Sequence, residues 1–478
     1  MKEADRLLSS EDRDMRRKPK RLFVLTMRLL TWALCMACFF LFFSFHNPYL
    51  VVLNRTSVIV AMSYSVVYWL MTGVYGGFDI GTRKSRSIIF TMGLVVAFAD
   101  LFAHLIMCVM DYTVINGGRF VYEKPHFLLG VFVLQVCVLT GMAYLGNGIY
   151  FSLKRPQACV MIVRRGDDYD AWIKKVGKFR KQYNIRKICY TSDSDVFEQI
   201  DQADAVFIYN LAESERSIFL EYAYQAQKDL YYSMELADVV RLGGKQIYFK
   251  DTAAVFAAAE KMSLEEQFLK RCMDAAISFV GLVITSPLLL LTALAIKLDD
   301  GGDVFYRQER ATYGGRVFSI LKFRSMRQEV GGIHQSVVAD DDRITRVGHV
   351  IRKFRIDELP QLWNVLKGDM SIVGPRPEML ENVEKYTEQL PQFAYRQRAK
   401  AGLTGLAQVY GRYNTTPKDK LILDMLYIEN YSIWLDIKII LRTALVLLTP
   451  DKSTEAFQAE SAAGEAETER SGTAEEEE

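Results

Sequence analysis

Two acidic residues, Asp357 and Glu358, stand side by side in the C-terminal half of the sequence. Neighbouring side chains on a helix point about 100° apart, so the two carboxylates can take separate tasks at one site. One can attack phosphorus to form an acyl phosphate, and the other can bind a cation. Attack on an anionic diphosphate needs such a cation, and Mg²⁺ is a hard ion that prefers oxygen ligands. An acidic pair is also typical of a solvated helix face, so its neighbours decide its meaning.

Basic residues with phosphate-binding chemistry accompany the acidic pair. Pro375 and Pro377 fix the backbone on both sides of Arg376, which holds the arginine stiffly. Arginine can bind phosphate through two parallel N–H donors. We therefore predict a phosphate-binding set that provides positive charge around Asp357 and Glu358. This set comprises Lys322, Arg324, Arg352, Arg376 and Arg412.

Long apolar segments precede these motifs. Four runs, at 22–45, 58–78, 88–110 and 127–151, each reach the roughly 20 residues needed to cross a bilayer. Lysine and arginine are concentrated before the first run, between the second and third, and after the fourth. This distribution predicts that both ends of the bundle, and all that follows, are cytoplasmic. The first run is too long for a cleaved signal peptide, so we expect it to remain as a span.

An ionisable pair lies within the third run, where Asp100 and His104 are four residues apart on one helical face. Such residues at bilayer depth are expensive and are functional candidates by default. The alternative is an interhelical hydrogen bond inside the bundle, and the sequence leaves both readings open.

A fifth apolar run, at 279–298, contains Ser286 and Pro287 near its middle. Proline removes a backbone donor and favours a break, while the serine hydroxyl can bond a freed carbonyl. Basic residues flank both ends, including Lys270 before the run and Arg307 after it, and a crossing would place one group on the wrong face. We predict a helix–break–helix that enters the membrane and returns, with a kinked fifth span as the alternative.

The region between the fourth and fifth runs alternates short buried-strand patterns with helical stretches, which indicates a parallel sheet of Rossmann type. A dinucleotide site would carry GxGxxG after the first strand. This chain has Arg164-Arg-Gly-Asp-Asp168 there, with a single glycine. We therefore interpret the module as structural or regulatory.

The composition excludes several classes of protein. The chain has 478 residues, 50% of them hydrophobic, a formal net charge of +2 and a mean hydropathy of +0.04. These values exclude a disordered chain, a coiled coil and a small disulfide scaffold. The mild basic character is weak support for nucleic acid, and we expect no such partner. The seven cysteines and five histidines are scattered without metal-ligand spacing.

The motifs after residue 270 together resemble the monotopic phosphoglycosyl transferases, or bacterial sugar transferases. The four spans and the degenerate module are similar to the large form of this family, which includes initiating glucose- and galactose-1-phosphate transferases. The matching elements are Lys270-Arg271…Asp274, the Ser-Pro hairpin, Phe305…Gln308…Arg310, Lys322-Phe-Arg324-Ser-Met326, Arg352…Asp357-Glu358, Gln361–Ser371, Val373–Pro377 and Gly402-Leu-Thr-Gly…Ala407-Gln408.

The resemblance implies transfer of a hexose-1-phosphate, glucose or galactose, from a UDP-sugar to undecaprenyl phosphate, with release of UMP. This reaction would initiate capsule, exopolysaccharide or O-antigen synthesis. Asp357 would be the nucleophile that forms a covalent phosphosugar intermediate, and Glu358 would coordinate Mg²⁺. The residues that would bind phosphates or support the site are Lys322, Arg324, Arg352 and Arg376.

The resemblance also implies a multi-pass protein of the bacterial inner membrane, in contact with membrane lipids, whose catalytic domain faces the cytoplasm. A homodimer is left open. Two other functions also remain: an inactive scaffold or regulator of polysaccharide assembly, and a membrane nucleotide-sugar dehydratase or oxidoreductase. The missing GxGxxG argues against the latter, and the intact Asp357-Glu358 pair argues against the former.

The expected fold is a membrane α-helical bundle, a degenerate Rossmann-like α/β module and a mainly α catalytic domain with a re-entrant helix. The expected segments are a basic cytoplasmic N-terminus (1–21), a four-span bundle (22–151), the α/β module (157–250), a connecting helix (252–269), the catalytic domain (270–450) with its re-entrant helix (279–298), and a disordered acidic tail (451–478).

Overall fold

The computed structural model describes residues 2–45, 47–111, 125–153, 156–167, 169–258, 262–327, 343–411 and 416–447. The predicted disordered tail at 451–478 lies outside this range. The chain forms two compact units, Met1–Ser233 and Met234–Glu478.

The first unit begins with four helices, and each predicted apolar run of the N-terminal third falls in one of them to within three residues. They are α1 (Lys2–Ser44), α2 (Arg55–Tyr75), α3 (Ser85–Asp111) and α4 (His126–Leu153). The side chain of Asn54 caps α2 by accepting a hydrogen bond from Ser57 N (2.8 Å). Gly76, in the left-handed conformation with φ +91°, ends the same helix.

One amide joins all four helices in the interior of the bundle. Gln135 Nε2 on α4 donates to Asp100 Oδ1 on α3 (2.9 Å) and to the Cys35 carbonyl on α1 (3.1 Å). The same nitrogen lies 3.4 Å from the Tyr64 hydroxyl on α2. His104, one turn along α3 from Asp100, is fully buried. The contacts of Asp100 therefore agree with the interhelical hydrogen bond that was one of the two sequence-based readings.

A four-stranded parallel sheet follows the bundle, as the alternating pattern predicts. Its strands are β1 (Gln157–Val163), β2 (Tyr183–Tyr190), β3 (Ala205–Ile208) and β4 (Asp229–Tyr232), in the order β2-β1-β3-β4. The connecting helices are α5 (Asp170–Gly177), α6 (Val196–Gln202) and α7 (Glu213–Gln225). Both faces of β1 are buried, which explains its continuous apolar sequence. The sequence analysis did not anticipate β4 and α6, which are short and mix polar with apolar residues.

The boundary predicted for the α/β module, residue 250, differs from the structure. Helix α8 (Leu236–Leu242) belongs to the second unit, where Val239 is part of the hydrophobic core. Gly243 follows this helix and approaches Glu429 so closely that an added Cβ would lie 2.7 Å from the Cβ of that residue.

The helix predicted at 252–269 is also wrong over its first five residues. Residues Thr252–Phe256 form strand β6, antiparallel to β5 (Lys245–Phe249). A two-residue turn closes this hairpin, with Lys250 at φ +56°. Pairing with the adjacent strand overrides the helix propensity of the alanines in this segment.

Helix α9 (Leu264–Asp300) is one uninterrupted helix of 37 residues, and the predicted break is not present in it. Pro287 lacks the N–H that would bond the Val283 carbonyl one turn earlier. The Ser286 hydroxyl donates to that carbonyl instead (2.8 Å). The serine hydroxyl therefore bonds the freed carbonyl, as predicted, and this bond allows the helix to continue through the proline.

Both halves of α9 pack against the rest of the second unit. Near its N-terminus, Lys270 Nζ is 2.6 Å from Asp436 Oδ2. Near its C-terminus, Ile296 is buried against Phe323. Both ends of the helix are therefore tied to the same globular unit, and an outward face of large apolar side chains is left exposed. The exposed side chains include Phe279, Val283, Ile284, Leu290, Leu291 and Leu294.

The rest of the second unit is mainly helical with small sheets. Its elements are β7 (Phe305–Ala311), β8 (Val317–Phe323), α10 (Arg346–Lys353), α11 (Gln361–Lys367), β9 (Ser371–Val373), α12 (Leu380–Gln389), β10 (Gly402–Thr404), α13 (Leu406–Tyr410), α14 (Pro417–Glu429) and α15 (Ile433–Leu447). Strands β7 and β8 are antiparallel, and β9 pairs with β10 in parallel. Over the described residues, α1–α4 and α9 are five helices long and apolar enough to cross a membrane.

Candidate active site

Asp357 and Glu358 lie in a short 3-10 helix, Ile356–Glu358, between α10 and α11. Arg355, which precedes it, has a left-handed backbone with φ +53° and ψ +27°. A residue with a Cβ adopts this conformation only where the surrounding structure requires it. Successive side chains of a 3-10 helix point about 120° apart. The backbone therefore directs the two side chains differently.

Three cations surround the Glu358 carboxylate. Arg376 Nη2 is 3.5 Å from Oε1, Lys322 Nζ is 3.9 Å from the same oxygen, and Arg355 Nη1 is 3.8 Å from Oε2. Burial acts to raise the pKa of Glu358, but Arg376, Lys322 and Arg355 together outweigh it and lower the pKa. Glu358 is therefore an anion at neutral pH.

Asp357 has a different electrostatic environment. Burial, with repulsion from Glu358, raises its pKa to about 6, although Lys322 and Arg352 pull the pKa downward. A higher pKa makes a carboxylate a better nucleophile once it is ionised, and most of it is ionised at pH 7. Two adjacent carboxylates with pKa values shifted in opposite directions are suited to different roles.

A small cleft beside Asp357 brings Glu358 together with cations from several strands and loops. Burial lowers the pKa of Lys322 on β8, and burial with repulsion from Arg376 lowers the pKa of Arg310 on β7. The sequence analysis quoted Arg310 only as part of a motif. Arg310 and Gln308 are two residues apart and so lie on the same face of one strand, and this spacing could have indicated Arg310 as a site residue. In the structure, Arg310 Nη2 donates to Gln308 Oε1 (2.6 Å). The lining includes Arg310, Lys322, Glu358, Gln361, Arg376 and Gln408.

The other predicted cations lie in three different situations. Arg352, in the last turn of α10, is close enough to lower the pKa of Asp357. Arg324 is buried after the end of β8, with its guanidinium against Gly302, where an added Cβ would lie 2.0 Å from Nη1. Arg324 thus packs against the turn that follows α9. Arg412 lies outside the described residues.

Close backbone packing fixes the segment that carries Arg376. A Cβ on Gly374 would lie 2.2 Å from the Lys400 carbonyl, and a Cβ on Gly402 would lie 2.1 Å from Gly374 N. Gly402 N donates to the Pro375 carbonyl (2.8 Å). Only glycine fits at these two positions, so two motifs that are separate in the sequence pack directly on each other.

Comparison with known proteins places residues 265–450 in the family described as bacterial sugar transferase. The chain is 45% identical over 190 residues to the UDP-glucose:undecaprenyl-phosphate glucose-1-phosphate transferase of Caulobacter vibrioides, covering 38% of this chain and 71% of that protein. It is 45% identical over 186 residues to the UDP-N-acetylgalactosamine-undecaprenyl-phosphate N-acetylgalactosaminephosphotransferase of Aeromonas hydrophila, covering 38% of this chain and 44% of that protein.

A third relative is the undecaprenyl-phosphate galactose phosphotransferase of Salmonella typhimurium. It is 38% identical over 201 residues, with 39% of this chain and 41% of that protein covered. The chain thus spans less than half the length of the second and third relatives. The matched region contains the acidic pair and the cleft described above. The chain, a transferase, belongs to the bacterial sugar transferase family.

Proposed function

We propose that this protein transfers a hexose-1-phosphate, glucose or galactose, from a UDP-sugar to undecaprenyl phosphate and releases UMP. The observation that carries the proposal is the Asp357–Glu358 pair beside a cleft lined by Lys322, Arg376 and Arg310. The names of the three relatives specify undecaprenyl phosphate, and they differ in the sugar. They support the acceptor more strongly than the donor. The product would begin a capsule, exopolysaccharide or O-antigen chain.

The proposed reaction has two steps at one phosphorus atom. In the first, an Asp357 carboxylate oxygen attacks the phosphorus that bears the sugar. A new oxygen–phosphorus bond forms, the bond to the oxygen that bridges the two phosphates breaks, and its electron pair leaves with UMP. In the second, a phosphate oxygen of undecaprenyl phosphate attacks the same phosphorus, and the Asp357 carboxylate is restored.

The protein's own cations can neutralise the charge of both substrates. Lys322 and Arg376 stand within 3.9 Å of Glu358, one residue from the proposed nucleophile. Fixed positive charge at the equatorial oxygens stabilises a phosphoryl-transfer transition state and needs no reorganisation during the reaction. Arg310 adds a third cation on the wall of the cleft.

The residues around Glu358 fit Mg²⁺ as an ion shared with the substrate. Among the described residues there is no group of three or more acidic, histidine or cysteine side chains that could hold a metal. Mg²⁺ is usually bound by one or two carboxylates with substrate phosphates and water. The lowered pKa of Glu358 keeps its carboxylate available as such a ligand. When bound, the ion would supply further positive charge to the diphosphate.

Helix α9 supports a position at the cytoplasmic face of the bacterial inner membrane. Lys270 and Ile296 contact the same unit, so a straight crossing would carry much of that unit into the bilayer. With α9 lying along the membrane surface, both of its ends stay on one side and the charged cleft stays in water. The exposed apolar face, which includes Ile284 and Leu290, would then contact lipid. A water-soluble donor and a lipid-borne acceptor could meet at this level.

The test is UMP release by membranes that contain the chain, with undecaprenyl phosphate and UDP-glucose, UDP-galactose or their N-acetylated forms. Release should occur with at least one donor and should be lost in Asp357→Ala. Glu381→Ala, an exposed acidic position on α12, is the matched control and should keep the activity. Without lipid acceptor, a labelled phosphosugar should attach to the wild type and not to Asp357→Asn.

Three results would contradict the proposal. No UMP release with any donor would favour the scaffold or regulator. NAD-dependent turnover without lipid would favour the dehydratase or oxidoreductase. Equal label on the wild type and on Asp357→Asn would refute the covalent step.

A further inference from the structure

A chain of charged residues contacts the backbone of Arg376. Arg396 Nη2 donates to the backbone carbonyl of Arg376 (3.0 Å). Arg396 also bonds Asp424 Oδ2 twice, through Nε (3.0 Å) and Nη2 (2.7 Å), and its Nη1 lies 3.5 Å from Glu378 Oε1. Lys420 Nζ reaches the same Glu378 oxygen at 2.7 Å. Glu378, Arg396, Lys420 and Asp424 are called the buried charge network below.

Three of the four network residues are deeply buried, Lys420 is partly exposed, and the charges alternate. Asp424 is 1% exposed, Arg396 4% and Glu378 8%. A charge in such a place is tolerated only with a well-placed partner, so each member restricts the position of the next. The described lining of the cleft includes Arg376 and none of the four network residues. Their influence on chemistry must therefore pass through another group.

The segment around Arg376 has few hydrogen bonds of its own to fix it. Pro375 and Pro377 have no N–H groups to donate. The Pro375 carbonyl accepts from Gly402 N (2.8 Å), and the Pro377 carbonyl accepts from Arg310 Nη1 (3.3 Å). The carbonyl between them, that of Arg376 itself, accepts from Arg396. Three successive carbonyls are thus held: that of Pro375 by β10, that of Arg376 by the network, and that of Pro377 by β7. The network therefore holds the residue whose side chain reaches the site.

We propose that the buried charge network positions Arg376. Asp424 and Glu378 fix the orientation of the Arg396 guanidinium, and Arg396 in turn holds the backbone carbonyl of Arg376. The network sets where the Arg376 guanidinium stands relative to Glu358, 3.5 Å away. Insofar as this guanidinium binds a diphosphate, the inference rests on the proposed function. Bidentate contacts to phosphate depend strongly on geometry, and a displacement of about 1 Å can cost on the order of a hundredfold in rate.

The test is a double-mutant cycle on the full-length chain in lipid nanodiscs. Single-turnover UMP release is measured without lipid acceptor, with whichever of UDP-glucose or UDP-galactose the wild type uses. Asp424→Asn should slow release about tenfold in the wild-type background and less than about twofold in the Arg376→Ala background. Glu378→Gln should behave in the same way. Arg396→Lys should be intermediate, because lysine can bond Asp424 or the Arg376 carbonyl but lacks the fork that reaches both.

Helix α14 offers a matched control. Lys420→Ala removes the cation that holds Glu378 and should slow release, whereas Lys418→Ala, one half-turn away, removes a surface pair with Glu235 (2.8 Å) and should not. Equal slowing by Asp424→Asn in both Arg376 backgrounds would overturn the proposal, because the network would then act on the fold in general.

Amide hydrogen exchange gives a readout that does not need activity. In Asp424→Asn, exchange at residues 374–379 should be about tenfold faster, while exchange in α15 should be unchanged. Unchanged exchange at 374–379 would also overturn the proposal. If the wild type releases no UMP with any donor, the proposed function fails, and the exchange experiment still decides whether the network holds this segment.

Discussion

Replacing Asp357 with asparagine should stop UMP release and also stabilise the fold at neutral pH. Burial and the neighbouring Glu358 raise the pKa of Asp357 from 3.8 to about 6. A folded-state pKa above the unfolded one means that the folded chain binds the proton more tightly. This contribution to stability is complete at low pH and is lost as the pH rises through about 6. At pH 7 the ionised side chain therefore destabilises the native state.

The size of the effect follows from the shift in pKa. The change from 3.8 to about 6 corresponds to roughly 3 kcal/mol, at about 1.4 kcal/mol for each pKa unit. Because asparagine does not ionise, Asp357→Asn should raise the free energy of unfolding by up to about 3 kcal/mol at pH 7 and by less than about 1 kcal/mol at pH 4. In a unit of this size, 3 kcal/mol is a rise of about 6–12 °C in melting temperature.

The assay is thermal unfolding of the full-length chain in nanodiscs at pH 4 and pH 7, followed by tryptophan fluorescence. Asp303→Asn, at an exposed position after α9, is the matched control and should leave the melting temperature unchanged. A lower or unchanged melting temperature for Asp357→Asn at pH 7 would refute the argument from burial. UMP release at the wild-type rate in that variant would refute the role of Asp357 as the nucleophile.

Three further outcomes are expected. Single-turnover UMP release should rise about tenfold between pH 5 and pH 7 with a midpoint near 6, because only ionised Asp357 can attack; a flat profile would contradict this. Gly402→Ala should unfold or inactivate the protein, since the new Cβ would lie 2.1 Å from a backbone nitrogen. The control Gly177→Ala, whose new Cβ would have no atom within 4 Å, should shift the melting temperature by less than about 2 °C. In a background without native cysteines, Glu265→Cys and Asp303→Cys, near the two ends of α9, should both react with an impermeant maleimide from the cytoplasmic side; labelling from opposite sides would indicate a true span.

Features encoded by neighbouring residues could be predicted from the sequence. The long apolar runs were recognised by length alone, and β1 to β3 by short apolar segments. The Asp357-Glu358 pair was found because its members are adjacent. Their opposite pKa shifts were not foreseen, since the tertiary fold decides both. Burial and Glu358 raise the pKa of Asp357, and Arg376 and Lys322 lower the pKa of Glu358.

Features that depend on distant partners could not be predicted in this way. The segment at 252–256 is a strand because it pairs with β5, and its alanines alone favour a helix. Pro287 does not break α9, since a serine hydroxyl replaces the lost donor. Arg396 and Asp424 are 28 residues apart, and no local pattern in the sequence indicates that they pair, yet both are buried. The role of Arg412, the homodimer and the bound Mg²⁺ stay predictions.

The docking of α9 has a consequence for how lipid composition should affect the enzyme. On the placement of α9 proposed above, the protein and not the lipids sets the height of Asp357 above the hydrocarbon core, because the helix is secured to the catalytic unit near Lys270 and near Ile296. Bilayers of different thickness should therefore alter how readily the long-chain acceptor reaches the cleft. They should leave unchanged the half-reaction that needs only the water-soluble substrate.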